Sequence, residues 1–358
     1  MSIKIDYQRA EELLAAAVDR ARTDVGLPIE WESYSRTVFG FASKTYTPAL
    51  ATLLLAKGTN PQVDTLSVKA TGENAYSIRG LGHKVIVPGA VKYGYSLRVT
   101  GREPLNNQPW FRYNRIDEFE RVKERNDYDF FLQIAQRAND LTVESAELAL
   151  AAFLKVALNQ ADELRKLKVP RAGITSDGVC LAAEDYLRAD AHDRPLRLQA
   201  VAAACLDLNY DDVRSRKLND PSRDVPGDVQ AYSVSGPFLS MEVRGKVVTR
   251  EEIVTFCEAC DRHDIEKVML FVDAPNHRPI DIESIDSVVI QSDAIHLSIF
   301  ESVRSLVNQS IQWSNAPMRE ASLTLTGRVL ERLKEIDAPR ASLQEWVRAV
   351  TLMQSKAT

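Results

Sequence analysis

Apolar residues recur at three- and four-residue steps near the start of the chain, which predicts amphipathic helices over residues 7–23 and 47–57. The second ends at Lys57-Gly-Thr-Asn-Pro61, where Gly, Asn and Pro together stop a helix. From 64 to 116 the period changes: short β-branched and aromatic runs at 65–69, 84–87 and 95–99 alternate with Gly, Pro and Asn, so short strands and loops are expected. Helical spacing returns at 115–125, 127–138 and 142–167, with Thr142 as the N-cap of the last. Residues 168–178 carry Pro, Gly and Ser between two helical patterns and read as a linker, dividing the chain into domains at 1–170 and 171–358. In the second domain the pattern predicts helices at 179–188 and 195–207, a polar stretch at 211–228 and a hairpin. A helix at 250–263, strands at 267–273 and 287–292, a helix at 297–311 and two closing helices complete it. The fold class is α+β to α/β: a helical and short-strand N-terminal domain, then an α/β domain with C-terminal helices.

Composition narrows the function classes. Forty-five Lys and Arg against fifty Asp and Glu, a net charge of -5, exclude a uniformly basic nucleic-acid coat, so any DNA contact must come from a local basic face. The longest apolar stretch, Pro48 to Ala56, falls well short of the roughly 18 residues a membrane span needs. The start, Met1-Ser-Ile-Lys-Ile-Asp-Tyr-Gln-Arg, lacks the order of a secretory signal, and a cytoplasmic location is expected. Four cysteines, Cys180, Cys205, Cys257 and Cys260, are too few for a disulfide framework in a chain of 358 residues.

The sharpest chemical feature lies in the hairpin. Residues 229–234 and 238–243 are strand-like and Ser235-Gly-Pro237 is turn chemistry, so the strands should pair antiparallel. Parity sends Leu239, Met241 and Val243 to the core and Ser240, Glu242 and Arg244 to an open face. With the turn centred on Gly236, Asp228 falls opposite Arg244, and Glu242 is its diagonal neighbour at roughly 7–8 Å between backbones. Two such carboxylates can share one Mg2+, which keeps several waters and can bind a phosphate oxygen as well. A cation held there polarises a phosphodiester and activates the attacking water. The bland alternative is a solvated face with an Asp228–Arg244 ion pair.

Asp, hairpin and Glu-x-basic resemble the core of PD-(D/E)xK nucleases, whose Asp strand follows a helix that contributes a further acidic or amide group. Gln199, on the helix expected at 195–207, looks like that group. The third signature position departs from the pattern. It is Arg244 rather than Lys, and a guanidinium cannot act as a general base, although it can stabilise charge building on a phosphate. Lys246 shares the face but sits roughly 13 Å along the strand from Glu242, so it serves only if Gly245 makes a bulge.

A second feature lies in the first domain. Between Asn74 and Arg102 there is no acidic residue, while Arg79, Lys84, Lys92, Arg98 and Arg102 are basic; Arg112 extends the stretch and Glu103 opposes it. Aromatic residues are interleaved, and Asn106-Asn-Gln108 offers amides of the type that read adenine bidentately. Arg79, Lys84, Arg98, Arg102, Asn106, Asn107, Gln108 and Arg112 are the candidate DNA contacts, set against the alternative that the aromatic residues are core and the amides an ordinary loop.

Taken together, Gly72-Glu-Asn-Ala-Tyr-Ser-Ile-Arg-Gly-Leu, Gly101-Arg-Glu-Pro-Leu-Asn-Asn-Gln-Pro-Trp-Phe-Arg, and Val225-Pro-Gly-Asp-Val with Met241-Glu-Val-Arg-Gly-Lys-Val-Val-Thr resemble the SacI-type restriction endonuclease family over most of the chain. The resemblance implies an N-terminal region that binds DNA and a mixed-sheet nuclease domain. It implies a Mg2+-dependent type II site-specific deoxyribonuclease that cuts both strands of duplex DNA at a short palindrome. A homodimer follows from two-fold site symmetry, and a cognate DNA methyltransferase would protect the cell without forming a stable complex. The rival reading is a nuclease-fold DNA-binding or regulatory protein that has lost cleavage. Cys257-Glu-Ala-Cys260 with His263 suggests zinc, but all three would share one helix, so buried thiols are expected. His83, His192, His277 and His296 are scattered and form no catalytic order with Ser and Asp.

Overall fold

The structure, a computed structural model, describes the chain apart from residues 100–102, 172, 189–192, 216–224, 276–278, 281–294 and 357–358. Two compact units divide it, Met1–Lys166 and Leu167–Thr358. Among the described residues no helix is long and apolar enough to cross a membrane.

The first unit contains α1 (Tyr7–Thr23), α2 (Ile29–Gly40), α3 (Tyr46–Thr59), α4 (Ile78–Leu81), α5 (Val87–Tyr93), α6 (Arg125–Asn139) and α7 (Val143–Lys166). Every residue of α3 is buried, as expected of a helix apolar around its circumference, and α1, α2, α6 and α7 pack around it. Asp6 starts α1 by accepting the Gln8 and Arg9 N–H groups, and Thr142 Oγ1 accepts the Ser145 N–H at the start of α7, as its sequence predicts. Helix α2 has no counterpart among the expected elements. Its apolar stripe is only Trp31 and Val38, with Glu32 and Ser35 buried beside them, so the periodic signal is thin.

The strands expected between 64 and 116 do not form. Among the described residues of this segment the only bridge joins Ser67 to Arg115, and 84–87 is helical, in a π-helical segment, Gly82–Ile86, continuous with α4 and with α5, which begins at Val87. Val85 and Ile86 are β-formers by propensity, but here they are buried helical side chains. Two glycines allow the close approach: a Cβ on Gly82 would meet Thr52 Oγ1 at 3.2 Å, and one on Gly89 would meet the Tyr95 hydroxyl at 2.8 Å. The helix expected at 115–125 shrinks to a 3-10 turn at Ile116–Glu118. Glu118 turns back to accept the Asn114 and Arg115 N–H groups, and Arg121 adopts a left-handed φ of 52°, which no helix continues through.

The second unit holds α8 (Ser176–Arg188), α9 (Arg194–Asp207), β1 (Val213–Ser215), β2 (Val229–Ser233), β3 (Gly236–Arg244), α10 (Arg250–Asp261), β4 (Lys267–Val272), β5 (His296–Phe300), α11 (Val303–Trp313), α12 (Met318–Glu335) and α13 (Arg340–Lys356). The five strands lie in the order β1-β2-β3-β4-β5. Strand β2 is antiparallel to both β1 and β3, and β3, β4 and β5 are parallel, which makes the sheet mixed. Helix α9 packs on β1, β2 and β3. Ile253, Cys257 and Cys260 of α10 pack with Val268, Leu270 and Val272 of β4. The helix expected over 297–311 is divided: His296–Phe300 pairs with β4 as a strand, and α11 begins after Ser302, whose hydroxyl caps the Ser305 N–H. The strand expected at 287–292 lies outside the described residues.

Candidate active site

Strand register decides what the hairpin brings together. Gly236 stands opposite Ser233 and Leu239 opposite Ala231, with an irregularity between Ala231 and Tyr232. The pairing is therefore displaced by two residues from the symmetric hairpin. Val229 pairs with Met241, which sets Asp228, the residue before it, beside the Met241–Val243 stretch that contains Glu242, and not opposite Arg244 as expected from a turn centred on Gly236. The Asp228 N–H donates to the Met241 carbonyl at 2.9 Å, and Asp228 Oδ2 accepts the Val243 N–H at 3.0 Å. The carboxylate thus substitutes for a main-chain acceptor and is tied to the strand that carries Glu242.

The expected open face is closed. Ser240 and Glu242 are buried at 0% and 8% exposure, as are Leu239 and Met241 on the alternate parity, both at 0%. The reason is topological: β3 is central, paired on both sides, and α9 and α10 cover the sheet. A carboxylate so buried needs partners. Glu242 receives an ion pair from Arg244, two residues along the same strand face, so the pair expected between Asp228 and Arg244 is replaced by one between Glu242 and Arg244. Arg244 remains one-third exposed, with a side-chain exposure of 33%, and its charge is open to solvent on one side.

Gln199 lies on the α9 face, buried, where its amide N–H donates to the Asp228 carbonyl oxygen at 3.2 Å. It buttresses the main chain that carries Asp228. Lys246 follows the end of β3 and pairs with Glu252 at 3.3 Å, within the capping box of α10, so no bulge at Gly245 carries it toward Glu242. Gly227, missed in the sequence, holds the turn into β2. Its φ is 87°, and a Cβ there would collide with Ser240 Oγ and lie 3.0 Å from the Met241 carbonyl. The Ser240 hydroxyl, also missed, donates to the Pro226 carbonyl at 2.7 Å and pins that turn to β3. Gly-Asp after Pro is the signal that could have pointed to it.

Asp228 and Glu242 supply hard oxygen donors at one end of a hairpin, and this donor chemistry fits a divalent cation that retains water on its other positions. Among the described residues no group of three or more His, Cys, Asp or Glu could hold a metal. Cys257 and Cys260 are core residues whose thiols burial pushes up to about 11 and about 12, and His263 is exposed. Cys180 and Cys205 are likewise buried, with thiols at about 11 and about 12. His192 and His277 lie outside the described residues.

The basic stretch of the first unit sorts into two classes. Tyr76, Tyr95 and Trp110 are core, with burial raising the phenols of Tyr76 and Tyr95 far above their usual range. Arg98 is half-buried at a left-handed φ of 60° and donates to the Val38 carbonyl at the end of α2; desolvation lowers its pKa. Lys84, Asn107, Gln108 and Arg112 are exposed, Arg112 lying 5.6 Å from the centroid of the Tyr113 ring. Arg102 lies outside the described residues. Asn106, expected as a bidentate amide, is engaged at both ends: Arg79 donates to its Oδ1 at 2.5 Å and its Nδ2 donates to Glu103 at 2.8 Å.

Comparison with known proteins covers nearly the whole chain. Residues 9–161 match the family model of the SacI restriction endonuclease N-terminal domain. Over 353 residues, 97% of this chain and 98% of the relative, the sequence is 33% identical to the type II restriction enzyme SacI of Streptomyces achromogenes. Such identity along nearly the full length of both proteins means that the chain belongs to the SacI family of restriction endonucleases.

Proposed function

We propose that this protein is a type II site-specific restriction endonuclease that hydrolyses phosphodiester bonds of double-stranded DNA with Mg2+. The observation that carries the reading is the tie of Asp228, through its N–H to Met241 and its carboxylate to the Val243 N–H, to the strand stretch that carries Glu242, in a chain that matches a type II restriction enzyme along nearly its whole length. A helix before the Asp strand, an antiparallel Glu strand and a parallel neighbour support a PD-(D/E)xK-like core.

Asp228 and Glu242 would hold the cation, which supplies Lewis acidity toward the scissile phosphate. Asp228 is kept from rotating by the Val243 N–H, and its main chain is braced by Gln199, so the ligand geometry is set before DNA arrives. Arg244 carries a permanent positive charge beside Glu242 and would stabilise the extra negative charge of the pentacoordinate phosphate. Lys246 is engaged by Glu252, so proton abstraction is not assigned to it. A palindromic target would favour a two-fold homodimer, a cognate methyltransferase would mark the host's sites, and a DNA substrate places the enzyme in the cytoplasm.

The test is direct. Plasmid DNA incubated with protein and Mg2+ should yield discrete fragments, and these should vanish with Asp228→Ala and with Glu242→Ala. A gel shift without cutting by the unmodified protein would instead identify a binder that has lost cleavage.

A further inference from the structure

On the first unit, Arg79, Asn106 and Glu103 form a continuous polar row. Arg79 sits on α4, whose start is fixed by the Ser77 hydroxyl accepting the Gly80 N–H, and Glu103 and Asn106 sit on one turn closed by the Asn106 N–H to the Glu103 carbonyl at 3.0 Å. Leu105, 2% exposed, anchors that turn in the core. The row forms part of the wall of a hollow of about 420 Å³ that also includes Lys69 and His83. Asn106 and Glu103 themselves are exposed, so the row faces solvent.

The chemistry of the row is ordered. The guanidinium of Arg79 only donates and the carboxylate of Glu103 only accepts, so the Asn106 amide between them must turn its oxygen to Arg79 and its NH2 to Glu103. Each group retains capacity beyond the bond it makes: further N–H donors on Arg79, the second N–H of Asn106, and further lone pairs on Glu103. The hollow is therefore presented with donor, donor, acceptor, in that order. In the major groove a G·C pair presents N7 acceptor, O6 acceptor and N4 donor. An A·T pair presents acceptor, donor, acceptor, which would set the adenine amino group against the Asn106 amide N–H and thymine O4 against the Glu103 carboxylate. A reversed C·G pair would begin with the wrong group.

We propose that Arg79, Asn106 and Glu103 are specificity-determining residues that together select a G·C pair through the major groove, Arg79 and Asn106 on the guanine and Glu103 on the cytosine amino group. This rests on the reading of the chain as a restriction endonuclease. It also changes the role of Asn106 from a reader of adenine to the central link of a row that rejects adenine. Glu103, the one acidic residue in an otherwise basic stretch, acquires a purpose that phosphate attraction alone would not provide.

The test uses the full-length protein with Mg2+ and a duplex library carrying a randomised segment, with cleaved ends sequenced. The unmodified protein should demand G·C at one position of each half-site. Arg79→Ala and Glu103→Gln should each relax that position alone, lowering discrimination by roughly 5- to 150-fold, while cutting of the preferred sequence persists. Replacing the guanine there by 7-deazaguanine, which lacks the N7 acceptor, should slow the unmodified protein and leave Arg79→Ala indifferent. If both variants melt like the unmodified protein and keep its full base preference, or lose cutting equally on every sequence, the proposal is overturned. Should Arg79→Ala fail to fold, the exposed and isosteric Glu103→Gln decides by the same readout. If the unmodified protein cuts no duplex at all, the endonuclease reading fails, and this inference with it.

Discussion

In the second unit the candidate chemistry is built into a sheet, and in the first it stands on a short helix and a loop. Asp228 accepts a main-chain N–H of the adjoining strand, Gln199 braces its carbonyl, and Glu242 is 8% exposed. The row of Arg79, Asn106 and Glu103 is joined side chain to side chain, and Asn106 and Glu103 face solvent. The contrast suits the two tasks proposed for them. Holding a cation against a phosphate demands positions fixed to within about half an ångström, which a central strand provides. Reading a base edge demands exposed groups whose order can be altered without disturbing a core, which a surface turn provides.

The largest test of that contrast is chemical. Glu242→Gln and Asp228→Asn should eliminate cutting while retaining DNA in a gel shift, whereas Asn107→Ala in the first unit should weaken the gel shift while cutting at saturating protein persists. Loss of cutting in the Asn107 variant would mean that the two tasks are not divided as described. Next in size is the aromatic core of the first unit. Trp110 is fully buried among Tyr46, Phe119 and Phe131 and donates its indole N–H to Thr45 at 2.9 Å. Trp110→Ala should cost about 3–5 kcal/mol in denaturant unfolding.

The units should also part company in alkali. All four cysteines belong to the second unit, and burial raises their thiols from an ordinary value of 9.0 to about 11 or 12. A raised thiol pKa stabilises the fold fully below pH 9, and that contribution is lost as pH rises through the interval between the two values. Melting of the second unit should therefore decline from about pH 9. The first unit, with no cysteine, should respond only from about pH 10, where phenols ionise in the unfolded chain. Simultaneous onset in hydrogen-exchange or fluorescence melts would contradict this.

Smaller effects probe the frame of the hairpin. Gly227→Ala forces a left-handed residue to carry a Cβ against Ser240, and should destabilise by about 1–3 kcal/mol while depressing cleavage through displacement of Asp228. Thr249→Ala removes the capping box of α10 and should cost about 1 kcal/mol with the cleavage rate unchanged. A reversal of these two effects on cleavage would move the rigid support of the site from the hairpin turn to α10.

Particular residues show how far the sequence reaches. Helices α1, α3, α7, α12 and α13 and the hairpin strands were legible because their periodicity and caps are local. The region from 64 to 116 was misread because Val85 and Ile86 suit a strand or a buried helix equally, and the choice depends on Thr52, Leu14 and Tyr95 reached across the fold through Gly82 and Gly89. The Asp228 and Glu242 pair could be named from their spacing, but its register could not. The turn falls at Val234-Ser235 instead of Gly236, and with the one-residue irregularity between Ala231 and Tyr232 this brings Asp228 beside the Met241–Val243 stretch and away from Arg244.

The sequence by itself determined the two-part organisation, the hairpin and the residue types able to hold a cation or meet DNA, because each depends on short-range pattern and side-chain chemistry. Only the tertiary structure decided which residues face each other, that β3 is buried on both sides, and that Glu242 is paired with Arg244 while Asn106 is held between Arg79 and Glu103. Those outcomes depend on strand order and on contacts between residues far apart in the chain, which local propensity does not encode.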